Sequence, residues 1–375
     1  MRLKMFLMCC SAALSFTHAA GAVDAIVAAE PESMGYVRVC DAFGAGFFFI
    51  PGTETCLKVG GHVRFELRAG GLTGGGYGGQ DLDGDLDGDS WYMRGRYSFQ
   101  LSTASDTEVG PLKTFSEIRF TNDNGESRPP IVKFVYIDVA GFRLGKADSA
   151  FSAFPGYAAD VIADDLISYG PFDTNLISYT YTPTPELSVI LSAEFGNAGE
   201  FRSYNDDSYP LSRTDLIANY MPNIVGGVKY APTWGNISAV GAYSSQIEEW
   251  VGKVRATFKV NDSVNFFLMA GYSTNHDSGG AETGYSPWGG SWAAWAGGQV
   301  KVNDYLTFNA QLSADDFKQF AAVANVNIYP MPKTAPGFRI IPEIEYKDFG
   351  DYPLTNAISE KDNLWSGMLR IQRNF

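Results

Sequence analysis

No internal stretch of this 375-residue chain approaches the roughly 18 uncharged apolar residues of a membrane helix, so a helical membrane protein is excluded. Basic residues are in deficit: 28 Lys and Arg stand against 42 Asp and Glu, a formal net charge of -14. That balance argues against nucleic acid, or an anionic membrane surface, as the main partner. Histidine is scarce. His18 falls in a leader segment, and His62 and His276 lie far apart, so a His-based catalytic site has little support. No heptad or amphipathic helical pattern persists, which leaves a helical bundle without a basis. Disorder is excluded too, since 45% of the residues are hydrophobic. What is abundant is glycine, 41 residues, with aromatics at 14%, and this composition leans towards strands.

Residues 1–22 read as a secretory signal peptide. Arg2 and Lys4 precede a short apolar run from Phe6 to Phe16, and small residues end in Ala20-Gly21-Ala22, where cleavage is expected. The mature chain then carries 26 basic and 42 acidic residues, a net charge of -16. Cys9 and Cys10 leave with the leader, and no lipobox surrounds them. Cys40 and Cys56 remain. An exported pair reads as a disulfide, worth about 3 kcal/mol in the chain-entropy model for a loop of this size. A metal site is the rival reading and needs more ligands nearby than His62. Segment 23–56, with Pro51-Gly52 marking a turn, reads as a disulfide-closed hairpin on the periplasmic side, ahead of the first strand.

From 57 onwards the sequence alternates with period two. Leu57, Val59, Gly61, Val63, Phe65, Leu67 and Ala69 form one face; Lys58, His62, Arg64, Glu66 and Arg68 stand on the other. Trp91 to Thr103 repeats the pattern. Soluble strands usually run to about five or six residues, whereas these are long enough to cross a bilayer at a tilt. Fourteen further segments continue the series, the last at 364–375, although 131–140 mixes its faces and 142–146 is short. Short connections alternate with mostly longer ones, among them 70–90, 121–130, 147–174 and 197–223. The expected fold is all-β: a 16-stranded antiparallel transmembrane β-barrel over 57–375, closed because an open edge in lipid would leave backbone groups unpaired. The charged face must point into the lumen, since Arg64, Glu66, Arg68, Arg94, Arg96, Glu117 and Arg119 could not share a dry core. The chain ends on Phe375, an aromatic terminus of the kind the bacterial barrel-assembly machinery engages, although Arg373 is an unexpected member of the outward row.

Three stretches resemble the alphaproteobacterial general porins: 24–32, the Cys-bracketed segment from Tyr36 to Leu57, and 156–168. The likeness continues through 221–230, 247–250 and the closing 370–375. The resemblance implies a homotrimer in the bacterial outer membrane that lets small hydrophilic solutes and ions diffuse passively, among lipid and lipopolysaccharide, with no cofactor, metal or catalysis. It also implies that the third outer loop folds into the lumen as a constriction. Here that loop carries Asp148, Asp160, Asp164, Asp165 and Asp173 and no Lys or Arg. Arg64, Arg68, Arg94, Arg96 and Arg119 would form the opposing basic wall. Two charges roughly 8 Å apart at an effective dielectric constant of about 20 interact by about 2 kcal/mol, enough to bias permeation without trapping a solute.

Two other functions compete with this one. A sugar-type specific channel needs an aromatic track along the lumen, and the inward positions Tyr92, Phe115, Phe267 and Trp295 form no obvious one. An adhesion or structural barrel would have a closed pore. The acidic run 81–89 invites a calcium loop, but its twelfth position would be Arg94 where a bidentate Glu is required. It reads better as an exposed acidic loop, with a weak divalent-ion site as the alternative.

Overall fold

The computed structural model describes residues 38–71, 91–196, 217, 220–274, 284–351 and 363–375. The leader, most of loop 70–90 with its acidic run, and much of 197–223 lie outside the described residues. Sixteen long strands carry the fold. The first eight are β1 Cys56–Gly70, β2 Trp91–Ser105, β3 Leu112–Asp123, β4 Ile131–Val139, β5 Phe142–Asp148, β6 Asp173–Thr184, β7 Leu187–Glu194 and β8 Asn223–Tyr230. The rest are β9 Gly235–Ser244, β10 Glu249–Lys259, β11 Val264–Ser273, β12 Trp292–Lys301, β13 Leu306–Asp315, β14 Phe320–Ile328, β15 Phe338–Asp348 and β16 Asn363–Asn374. Each pairs antiparallel with the next, and β16 pairs with β1, so the sheet closes on itself and no barrel edge is left unpaired.

The pleat decides what faces where. Along β13, Phe308 and Leu312 are exposed on the outside, while Thr307, Asn309, Gln311, Ser313 and Asp315 are buried on the inside. Val59, Val63 and Phe65 on β1 and Trp91, Met93 and Tyr97 on β2 continue the outer apolar belt. This reverses a soluble protein and suits a barrel whose solvent on the outside is lipid.

The strands keep the expected order and number, with shifted ends. β3 runs on to Asp123 through a stretch expected as loop. Asn124 and Gly125 both have positive φ, 49° and 89°, the tight turn a right-twisted hairpin favours, and Glu126–Ser127 pairs back onto β3. The mixed faces of 131–140 also have a cause. A register shift opposite Glu117 and Ile118 inserts an extra residue, so Val132 and Val135, three apart, both face outwards.

At the end of the barrel with the short turns, Cys40 and Cys56 form a disulfide. Phe48–Phe49 pairs with Cys56 and Leu57 across a turn at Pro51-Gly52. At the same end the last residue is held to the first strand. Gly61 N donates to Phe375 O at 3.2 Å, and Phe375 N donates to Gly61 O at 3.1 Å. The Phe375 ring stacks on Tyr97, which stacks on Phe120. Arg373 is exposed close by, opposite Val63.

Candidate functional site

Between β5 and β6 the chain runs from 149 to 172 along the inside of the wall. Ser149 caps a one-turn helix, α1 (Ala150–Ala153), accepting a hydrogen bond from Phe151 N. Fully buried Glu194 at the end of β7 holds this start: it accepts from Ser149 Oγ at 2.7 Å, Ala150 N at 2.8 Å and Tyr285 Oη at 2.8 Å. Inward side chains of the later strands then hold the loop backbone in turn. Lys253 Nζ donates to Tyr169 O at 2.6 Å, Trp295 Nε1 to Ile167 O at 2.7 Å, and Lys347 Nζ to Leu166 O at 2.6 Å. Gln311 Nε2 donates to Asp164 O at 2.7 Å and Asn325 Nδ2 to Asp160 O at 3.2 Å. Glu343 accepts from Ile162 N at 2.5 Å and Ala163 N at 2.9 Å.

Beneath the polar clamps lies an apolar bed. Phe151, Ile167 and Tyr169 of the loop are buried among Tyr285, Trp288 and Trp295, with Phe151 edge-on to Tyr285. Gly170 makes the final bend at φ 142°, and a Cβ there would stand 2.8 Å from the Phe151 ring and Ser152 Oγ. The backbone of a buried loop must be hydrogen-bonded somewhere, and here the wall supplies the partners.

The arginines stand on a different arc, β1 to β3, and β16 adds Arg370 to them. Cross-strand register sets them in levels: Arg370, Glu66, Arg94 and Asp123 on one, and Gln372, Arg64, Arg96 and Thr121 on the next. Glu66, 1% exposed, accepts Arg370 at 2.5 Å and has Arg68 at 3.5 Å and Arg64 at 3.7 Å. Arg94 pairs with Asp123 at 2.8 Å, and Arg119 with Glu117 at 2.6 Å. Such interlocked pairs hold guanidinium groups against the wall while leaving a net positive face.

The loop aspartates divide into two groups. Asp148 and Asp173 close the flanking strands and stand opposite each other in register. Asp148 accepts from Tyr157 Oη, and Asp173 is held by Lys133 and Lys146 at 2.6 and 2.5 Å. They sit at the root of the loop. Asp160, Asp164 and Asp165 lie along the loop itself. Asp160 is exposed, and Asp164 Oδ2 accepts from Tyr169 Oη at 2.7 Å. Asp165 is exposed, although loop and wall surround it, and Arg68 and Lys347 are its cationic neighbours. Burial and the neighbouring Asp165 charge push the Asp164 carboxyl well above the usual carboxylate range. Burial raises Asp165 as well, against the pull of Arg68 and Lys347.

Several of these residues carry no sequence signal. Glu194, Lys253, Gln311, Asn325, Glu343 and Lys347 read only as polar members of inward rows, because most of what they bind is loop backbone, which has no residue identity. Arg370 was legible as a basic residue in the last strand; what joins it to the wall is closure of the barrel.

The porin subfamily model matches residues 24–368. Porin Omp2b of Brucella neotomae is 40% identical over 386 aligned positions, covering 100% of each chain, and porin Omp2b of Brucella suis biovar 1 (strain 1330) matches to the same extent. Among solved structures, the outer membrane channel DcaP of Acinetobacter baumannii superposes with a TM-score of 0.60 at 19% identity, over 87% of this chain and 99% of that one. A triple mutant of Rhodopseudomonas blastica porin gives 0.52 at 13%, over 85% and 100%. The two structural likenesses concern the fold alone. The family match and the full-length identity to the Brucella proteins go further, and with the closed barrel and its polar interior they establish that this chain belongs to the porin subfamily, as a passive, non-catalytic channel of the bacterial outer membrane.

Proposed function

We propose that loop 149–172 and the arginine wall are the two sides of the channel's constriction, and that small hydrophilic solutes and ions are sorted by size and by the field between them. One observation carries this reading: side chains from five strands, β10 and β12 to β15, bind the loop so that Asp160, Asp164 and Asp165 stay inside the barrel. Fixed charges of opposite sign on two sides of a water-filled gap orient water and polar solutes and disfavour apolar ones. Single-channel recording of Asp164→Asn/Asp165→Asn tests it. Altered conductance and a weakened cation-to-anion permeability ratio are expected; a channel indistinguishable from wild type would end the assignment. Liposome swelling with solutes of graded size should give a smooth fall with size, as a general diffusion pore requires.

The resemblance to the general porins further supports a homotrimer set among lipopolysaccharide. Heat-modifiable gel migration reads the assembly: an oligomer band that collapses on boiling is expected, and a monomer without heating would rule it out. Segment 23–56 and the disulfide belong, in this reading, to the periplasmic end, and Phe375 to the signal for barrel assembly.

A further inference from the structure

The positive surplus of the arginine wall is concentrated at one level. Where Arg370, Glu66, Arg94 and Asp123 run side by side, two cations meet two carboxylates. Arg119 has Glu117, and Arg68 has Glu66 at 3.5 Å with Asp165 of the loop nearby. The adjoining level holds Gln372, Arg64, Arg96 and Thr121 and no carboxylate. Arg64 Nε donates to Gln372 Oε1 at 2.7 Å, and its nearest acid, Glu66 at 3.7 Å, is already held by Arg370. Arg96 Nε reaches Thr121 Oγ1 at 3.3 Å, and among the described residues no carboxylate lies within ion-pair distance of it.

Arg64 and Arg96 are directly opposed partners on β1 and β2. Like charges placed so destabilise a sheet. Opposed residues of antiparallel strands stand about 5 Å apart, a gap that one oxyanion bridges with an oxygen on each guanidinium. Guanidinium forks match the geometry of phosphate and carboxylate oxygens.

We propose that Arg64 and Arg96 form a binding station in the lumen for small dianionic oxyanions, of which inorganic phosphate is the simplest. The proposal deepens the constriction reading by naming a solute class that its basic side holds. A dianion neutralises both guanidinium groups at once, which chloride cannot do. The station raises the local concentration of such solutes at the narrow passage while the rest of the wall stays internally paired.

Planar-bilayer recording of the full reconstituted protein in chloride, with inorganic phosphate added at constant ionic strength, tests it. A saturable reduction of single-channel current by phosphate is expected in the wild type. In Arg64→Gln/Arg96→Gln the half-saturating concentration should rise by about tenfold or more, the loss of charge-assisted bonds to the anion. Arg96→Lys, which keeps the charge and loses the fork, should give a smaller rise, and it serves if the double variant does not fold. No saturation in the wild type, or an unchanged half-saturating concentration in the arginine variants, overturns the station. Asp164→Asn/Asp165→Asn should keep the phosphate response, so failure of the loop assignment and failure of the station are read separately.

Discussion

Asp164 and Asp165 adjoin in sequence yet hold their protons differently. Asp164 is half-buried in the loop, with Asp165 and Glu343 as negative neighbours and the Tyr169 hydroxyl as its donor. Asp165 has Arg68 and Lys347 to hold its charge. A carboxyl whose folded pKa lies above its unfolded value, about 3.9, takes up a proton more readily in the folded barrel. Its effect on stability is therefore favourable as pH falls through the raised pKa, and its negative charge in the lumen is lost over the same window. The cation-to-anion permeability ratio should fall in mildly acid solution, above the usual carboxylate range, and Asp164→Asn should remove that step without lowering thermal stability. Reversal potentials measured at a series of pH values check this; a ratio unchanged down to pH of about 4 would contradict it.

Among the elements, the strands were legible because each repeats one simple constraint, apolar side chains to lipid and polar ones to water. Where the constraint broke, a local device was responsible. The extra residue opposite Glu117 and Ile118 spoiled the alternation in β4, and the turn at Asn124-Gly125 prolonged β3. Of the site, the arginines were legible from their shared face, and the loop acids from their number. The division of those acids was not legible, since Asp148 and Asp173 enter strands whose ends periodicity does not mark. The loop's course was equally hidden, because Glu194, Lys253 and Gln311 bind main-chain atoms or hydroxyls far along the chain. Glu194 receives three donors. Glu194→Gln turns one acceptor oxygen into a donor and leaves a buried hydroxyl or N–H unmatched, at about 1–3 kcal/mol. The loop start should loosen while the barrel stays intact. Increased open-channel current noise with unchanged heat-modifiable migration is the expected outcome; quiet channels would show the anchor to be dispensable.

For the molecule as a whole, the net charge of -14 described neither face of the barrel. The lumen wall near β1 is basic, loop 149–172 is acidic, and the outer belt is apolar. Closure organises these surfaces, and the chain's two ends make it. Phe375→Ala keeps the backbone bonds to Gly61 but removes the ring from Tyr97, a contact worth about 0.5–1.5 kcal/mol. The temperature at which the folded band converts on a gel should fall by a few degrees; an unchanged temperature would count against any role for the ring in holding the seam.

That seam runs through the charged wall. Arg64 binds Gln372 across 308 residues of sequence, and Glu66 binds Arg370 across 304. No partly translated or C-terminally clipped chain contains both sides. The closed barrel and its charged wall therefore come into being together, when the last strand meets the first.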